Sequence, residues 1–367
     1  MKLAIVAGEA SGDLHAAEVV RELKALAPGL RTFGIGGDLL AAEGMRVLHH
    51  AKEMGIVGLF NVLRQYGKFR RIFDDMVAAL SVEKPDGVML VDYPGFNLRL
   101  AKKCKELGLR VVYYISPQVW AWRQGRVKQI EKVVDRMIVL FPFEEEFYSK
   151  HRVPVTYAGH PLIDELAGVE RGDVPPRDPL RIALLPGSRK SEVTALLPPM
   201  LDAVALLQNE RAVDAWIVRA PTIAAAELLD LMGRSGVIVR IEPHGAESIA
   251  AADVALSSSG TATLECAVVG TPVVVMYRLS RATHWIARRV VKVPHFSLVN
   301  IVAGKKVVPE LIQHDVNGHR IAAEVREMSE PPAHARLRAE LAAVRAKLGG
   351  PGASRRAAEA IMGTLTA

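Results

Sequence analysis

Residues 2–13 read Lys2-Leu3-Ala4-Ile5-Val6-Ala7-Gly8-Glu9-Ala10-Ser11-Gly12-Asp13. An unbroken apolar run meets a glycine and an acid and passes into a helical pattern from Ser11 to Leu26, as a parallel strand covered on both faces does when it feeds a helix. The rhythm continues with a strand at Gly87 to Val91, a helix at Leu98 to Leu107 and a strand at Val111 to Ile115. Val169 to Pro179 interrupts it with three prolines and five charges, which suits a linker. Beyond it come strands at Arg181 to Leu185, Ala215 to Arg219, Val237 to Ile241, Val254 to Ser257 and Pro272 to Tyr277, with helices at Ser191 to Gln208 and Thr261 to Val268. The pattern predicts two doubly wound, Rossmann-like α/β domains facing across a cleft: residues 1–168, a linker at 169–179 and residues 180–332. A helical, Ala-rich tail at 333–367 is expected to pack back on the first domain or on a partner subunit, which leaves a homodimer open.

The length of 367 residues fits two such domains. Half the residues are hydrophobic, which excludes disorder, and the net charge of +7 favours an anionic partner. Cys104 and Cys266 stand far apart, so neither a disulfide framework nor a zinc site is encoded. The opening apolar run is too short for a signal-peptide core, and no stretch approaches the ~18 apolar residues of a spanning helix. A cytoplasmic protein that crosses no membrane is expected.

Two loops of the second half suit a diphosphate. Leu184-Leu185-Pro186-Gly187-Ser188-Arg189-Lys190-Ser191-Glu192 is a strand end, a glycine turn and a helix start, where free amides favour an anion and Arg189 adds a fork of donors. It is not a Walker A loop. Ser257 to Glu265 brings Ser259, Gly260 and Thr261 to another helix start, with Glu265 able to accept from ribose hydroxyls. Arg189 could instead be a surface residue at a turn, and Glu265 a carboxylate favoured by the helix dipole. In the first half, Ser11 offers a hydroxyl at a helix start, while Glu9 and Asp92 each follow a buried strand. An acid there either caps a turn or sits where substrate reacts. Gly34-Ile35-Gly36-Gly37 lacks the third glycine of a dinucleotide fingerprint, so NAD is not expected.

Together these runs resemble lipid-A-disaccharide synthase, an inverting glycosyltransferase family. The likeness rests on Ala7 to Asp13, Phe33 to Gly37, Ser116-Pro117-Gln118-Val119-Trp120-Ala121-Trp122-Arg123, Leu140 to Glu144, Leu185 to Arg189, Ser259 to Glu265 and Val299-Asn300. It implies the two-domain GT-B fold, UDP-2,3-diacylglucosamine as donor and 2,3-diacylglucosamine 1-phosphate as acceptor. It also implies essential acids at Glu9 and Asp92, an essential arginine at Arg189 and an essential asparagine at Asn300. Some relatives carry a second acid where this chain has Gly95, so a carboxylate at that position has no counterpart here.

The chemistry asks for a base on the incoming hydroxyl and donors for the leaving diphosphate. Asp92 is the expected base with Glu9 in reserve. Gly187, Ser188, Arg189, Ser259, Gly260 and Thr261 are expected to receive the diphosphate. No Asp-x-Asp segment occurs, so neither a metal nor another cofactor is expected. Acylated substrates call for contact with anionic inner-membrane lipid, and Met54 to Phe73 and Tyr277 to Phe296 have basic, acid-free, apolar composition for it. The second stretch carries Arg278, Arg281, Arg288, Arg289, Lys292 and Trp285. Trp120, Trp122 and Arg123 suit structural or acceptor-site roles better than stacking on nucleic acid, and His15, His160 and His284 show no metal-ligand spacing. A UDP-N-acetylglucosamine 2-epimerase and a non-catalytic nucleotide-sugar-binding protein are the rival readings on the same fold.

Overall fold

The computed structural model describes residues 1–54, 59–121, 124–169, 172, 175, 176, 178–278 and 294–366, with only the backbone over 59–66. The chain divides into two compact units, Met1–Pro161 with Gly349–Ala367, and Leu162–Leu348.

Among the described residues the first unit holds seven strands: β1 (Lys2–Ala7), β2 (Arg31–Gly36), β3 (Arg46–His50), β4 (Gly87–Val91), β5 (Arg110–Tyr114), β6 (Arg136–Val139) and β7 (Val155–Tyr157). All pair in parallel, in the order β3-β2-β1-β4-β5-β6-β7. Leu3, Ala4, Ile5, Val6 and Ala7 have no exposure at all, which is why β1 carries no polar alternation. The Ala10–Leu26 helix buries Ala16, Ala17, Val19, Val20 and Leu23, one stripe at helical spacing.

The second unit repeats the plan with β8 (Leu180–Leu185), β9 (Val213–Arg219), β10 (Arg240–Pro243), β11 (Val254–Ser258), β12 (Val273–Tyr277) and β13 (Glu310–Ile312), all parallel in the order β10-β9-β8-β11-β12-β13. In both sheets the order reverses direction once, between β1 and β4 and between β8 and β11, and open α/β sheets bind ligands at the strand C-termini of such points.

Several expectations shift. The strand expected at Val237 to Ile241 begins at Arg240, because left-handed Gly236 ends the Ala225–Ser235 helix and the chain regains the sheet only opposite Trp216. The helix expected from Leu98 starts at Pro94, where proline's fixed φ suits the first turn. The units part at Pro161 and Leu162 rather than at 169–179. The tail is also split: the Pro331–Lys347 helix stays in the second unit, burying Leu337, Leu341 and Val344, and Gly349-Gly350-Pro351-Gly352 breaks it off.

Only the Ala353–Thr366 helix returns to the first unit. It lies on the Ala10–Leu26 helix and on β5 and β6, burying Ala353, Ala357, Ala358 and Ile361. Arg110 Nη1 donates to the Thr364 carbonyl at 2.7 Å, and Arg356 Nε to the Ala158 carbonyl at 2.7 Å. Ile361 is fully buried, so Ile361→Ala should destabilise the first unit by about 2–5 kcal/mol, read as a lower urea midpoint.

Candidate active site

β1 and β4 are neighbours with Ala7 opposite Val91, so Gly8-Glu9 and Asp92-Tyr93 leave the sheet side by side. Glu9 is exposed at the N-cap of the Ala10–Leu26 helix, its carbonyl accepting from the Asp13 amide at 2.9 Å, and Ser11 is exposed in the first turn. Asp13 faces the other way. Buried, its carboxylate accepts from the amides of Gly37, Leu39 and Leu40 at 2.6, 3.0 and 3.3 Å, which caps the Asp38–Ala42 helix.

Asp92 and Tyr93 both occupy the left-handed region, with φ of 43° and 48°, a conformation that costs a non-glycine residue roughly 1–2 kcal/mol. The surroundings hold it in place. The Asp92 amide donates to the Tyr114 carbonyl at 3.0 Å, while its own carbonyl accepts from the Tyr113 hydroxyl at 2.6 Å and from Asn97 Nδ2 at 2.8 Å. The Tyr93 hydroxyl donates to the Met54 carbonyl at 2.8 Å. Its ring lies so close over Gly8 that a Cβ there would come within 2.9 Å of it. Such over-determined strain aims one side chain.

Burial, and after it the charge of Glu9, pushes the Asp92 carboxyl up to about 6 against the pull of the Tyr93 amide. A carboxyl in that range is a competent base at neutral pH. It opens on a cavity of about 680 Å³, lined by Glu9, Asp92 and Tyr93 and by the rings of Phe69, Phe73 and Phe96. A smaller space of about 260 Å³ on the other side of Asp92 reaches Glu144. Glu144 is buried, which raises its carboxyl to about 7, although Ser116 Oγ at 2.5 Å, Trp120 Nε1 at 3.1 Å and the amides of Leu140 and Phe141 all donate to it. Trp120 is thereby a structural anchor. Trp122 and Arg123 lie outside the described residues.

The loops of the second unit also assemble at one sheet edge. β8 and β11 are adjacent with Ser257 opposite Leu185, which brings Gly187, Ser188 and Arg189 to the same edge as Ser259, Gly260 and Thr261. Gly187 has a φ of 123°, and a Cβ there would lie 2.5 Å from Glu192 Oε2. The loop amides expected to be free are not. Glu192 Oε2 accepts from Ser188 N at 3.0 Å and Arg189 N at 3.3 Å, and Glu192 Oε1 accepts from Arg189 Nη1 at 2.7 Å. An internal carboxylate thus occupies the site of the expected anion, with the Arg189 side chain exposed beside it. Ser259 is tied by its amide to the Met276 carbonyl at 3.0 Å and by its hydroxyl to the Phe296 carbonyl at 3.3 Å. Glu265 pairs with His244 at 3.1 Å, which raises the imidazole, so a ribose there would compete with a histidine that sequence reading missed.

Asn300 belongs to neither loop. It is fully buried in the Leu298–Ala303 helix. Its Nδ2 donates to the Val308 carbonyl and to Glu310 Oε1, each at 2.9 Å, and its Oδ1 accepts from the amides of Val307 and Val308 at 2.7 and 2.9 Å. Every amide group is engaged, so Asn300 clamps the loop before β13 and has nothing left to offer a sugar. Arg278 is exposed and donates to the carbonyls of Ala195 and Val316 at 3.0 and 2.9 Å; Arg281, His284, Trp285, Arg288, Arg289 and Lys292 lie outside the described residues. Asn300→Ala strands several buried groups and should lower stability by about 2 kcal/mol or more, visible as a reduced denaturant midpoint without substrate.

The family model for lipid-A-disaccharide synthetase matches residues 3–360. A lipid-A-disaccharide synthase from Myxococcus xanthus is 42% identical over 98% of this chain and 97% of its own length. That of Syntrophus aciditrophicus is 43% identical over 96% and 95%. Solved structures share the fold at low identity: MurG from Acinetobacter baumannii (TM-score 0.60, 15% identical, 99% of each chain) and the S. aureus MnaA–UDP co-structure (TM-score 0.65, 13% identical, 100% of this chain and 97% of that one). A UDP-GlcNAc 2-epimerase from Neisseria meningitidis is alike at a TM-score of 0.63 and 13% identity, covering 99% of this chain and all of that one. Likeness at that level speaks for the two parallel-sheet domains alone and gives the epimerase reading no separate support. Matched along nearly its whole length by model and relatives, this chain belongs to the lipid-A-disaccharide synthase family.

Proposed function

We propose that this protein condenses UDP-2,3-diacylglucosamine with 2,3-diacylglucosamine 1-phosphate and releases UDP, with Asp92 as the base. The observation that carries the reading is Asp92 itself, an aspartate aimed by a strained backbone and raised to about 6 beside an aromatic-walled cavity. The acceptor's 6-hydroxyl attacks the anomeric carbon of the donor, its proton passes to the Asp92 carboxylate, and the C–O bond to UDP breaks with its electrons retained by the diphosphate. Attack opposite the leaving group inverts the α donor to a β-1,6-linked tetraacyl disaccharide 1-phosphate. Glu9, whose charge helps raise Asp92, keeps that carboxyl basic.

The second unit is assigned the donor. The amides of Ser188 and Arg189, released from Glu192, and the helix start at Gly260-Thr261 would receive the diphosphate, and the Arg189 guanidinium adds a full charge. In this reading divalent metal is dispensable, since helix N-termini and Arg189 supply the positive potential. Mass spectrometry of purified protein incubated with both substrates, with and without EDTA, tests it. A tetraacyl disaccharide phosphate formed equally well in chelator is expected, and UDP release without an acylated acceptor would favour an epimerase or hydrolase instead.

Contact with anionic membrane lipid is proposed for the segment around Leu59, Phe60 and Leu63, whose side chains lie outside the described residues. No helix among the described residues is long and apolar enough to cross a membrane. Met54, Ile72 and Met76 of this region are buried in the first unit's core, which narrows any interfacial stretch to the residues between. Joint replacement of Leu59, Phe60 and Leu63 by Ser should release protein from anionic vesicles in a flotation assay.

Asp92→Asn should lower kcat by 10²-fold or more with donor affinity little changed. The wild-type rate should fall as pH drops through about 6, as the base gains its proton, and the residual rate of the variant should lack that limb. Stability should move the opposite way. The folded carboxyl titrates above its unfolded value of 3.8, so native protein binds the proton more tightly, and stability declines as pH rises from about 4 to about 6. Asparagine suits left-handed backbone and carries no charge, so the variant should gain up to about 3 kcal/mol at pH 8 and almost nothing at pH 3.5.

A further inference from the structure

The cavity beside Asp92 is lined by groups that the transfer chemistry leaves unassigned. Its lining includes the carboxylates of Glu9, Asp92 and Asp74, the rings of Phe69, Phe73 and Phe96, and the guanidinium groups of Arg70 and Arg99. The wall is built by two helices, Leu59–Glu83 and Pro94–Glu106, locked together by the Phe73 and Phe96 rings, edge to face at 5.5 Å. Residues three apart share a helix face, so Phe96 and Arg99 point the same way, as do Arg70 and Phe73. Asp74 sits 3.8 Å from Arg70 and tempers its charge, whereas Arg99 makes no ion pair with any described residue.

We propose that this cavity seats the acyl acceptor, with Arg99 holding its phosphomonoester and the Phe69, Phe73 and Phe96 rings taking an acyl chain. The assignment rests on the transferase reading above and adds how acceptor is told from donor. A phosphate dianion next to Asp92 and Glu9 would be repelled and would drive the base toward its protonated form, so the phosphate must lie away from the acids while the 6-hydroxyl lies on them. One sugar ring separates those two groups in the acceptor. Arg99 comes five residues after Pro94, a helix rise of about 7.5 Å from the residue that follows Asp92-Tyr93, which is the scale of that ring. An exposed guanidinium beside an apolar wall suits a ligand that is anionic at one end and greasy along its length. The donor, whose phosphates are esterified to uridine, carries no such terminal phosphomonoester.

The test is equilibrium binding by calorimetry, using short-chain 2,3-diacylglucosamine 1-phosphate and its unphosphorylated counterpart below their micellar concentrations. Wild-type protein should prefer the phosphate by tenfold or more. Arg99→Ala, an exposed helical substitution that favours folding, should erase the preference by weakening only the phosphorylated ligand, and Arg99→Lys should keep part of it. A preference that survives in Arg99→Ala overturns the proposal, as does its absence from wild type or equally tight binding of phosphatidic acid of matched chain length, which would assign the cavity to a membrane lipid. Turnover separates the two readings. Wild-type protein that shows the Arg99-dependent preference but forms no disaccharide keeps the subsite and loses the transferase reading; normal turnover with no preference does the reverse.

Discussion

A carboxylate forced into a half-buried, strained position governs the first unit. Water would solvate Asp92 well, and an ordinary backbone would turn it outward; here the Tyr113 hydroxyl and the Asn97 amide hold its carbonyl, and the Tyr93 ring lies against Gly8. Fold and chemistry meet at this point. The parallel register that sets Ala7 against Val91 puts two acids where the sheet order reverses, and the burial that makes the sheet stable is what makes one of them basic. Stability and proton affinity therefore oppose each other at residue 92, as is common where a site is built from strain.

The second unit solves a related problem with another device. Its loop amides point outward at a strand-to-helix turn, a costly arrangement for a dry surface without a partner. Glu192 supplies that partner from the helix the loop begins. Arg189 is held by the same carboxylate, so the groups proposed to meet a diphosphate are already grouped around a negative charge. Asn300 contributes at one remove. It clamps the segment before β13, and Ser297 N shares its acceptor Glu310 Oε1 at 2.9 Å, just after the Phe296 carbonyl that receives Ser259.

Much of this was legible in the chain. A continuous apolar run ending in Gly8-Glu9 located β1, one ending in Asp92 located β4, and one ending in Pro186-Gly187-Ser188 located the end of β8, because strands covered on both faces carry no competing polar signal. Short strands such as β3 and β7, which are only half-buried, left no such mark. The identities of Glu9, Asp92 and Arg189 were legible too, but their states were not. Nothing in Asp92-Tyr93 announces two left-handed residues in succession, and a carboxyl raised by burial and by Glu9 depends on residues far from it in the chain. Nothing in the sequence marks Asn300 as buried, since sequence records residue type and not surroundings. Glu144 and His244 went unassigned because their partners lie 28 and 21 positions away in the chain, at Ser116 and Glu265.

The return of the Ala353–Thr366 helix has a consequence for biosynthesis. Because the second unit is threaded between residues 161 and 349, the first sheet emerges from the ribosome early but lacks the helix that covers β5, β6 and the Ala10–Leu26 helix until nearly all the intervening chain has been made. The later-made unit can close around its own core first, and the earlier-made one must wait with an apolar flank uncovered. A chain cut short anywhere in the second unit lacks that helix and leaves the flank it covers exposed.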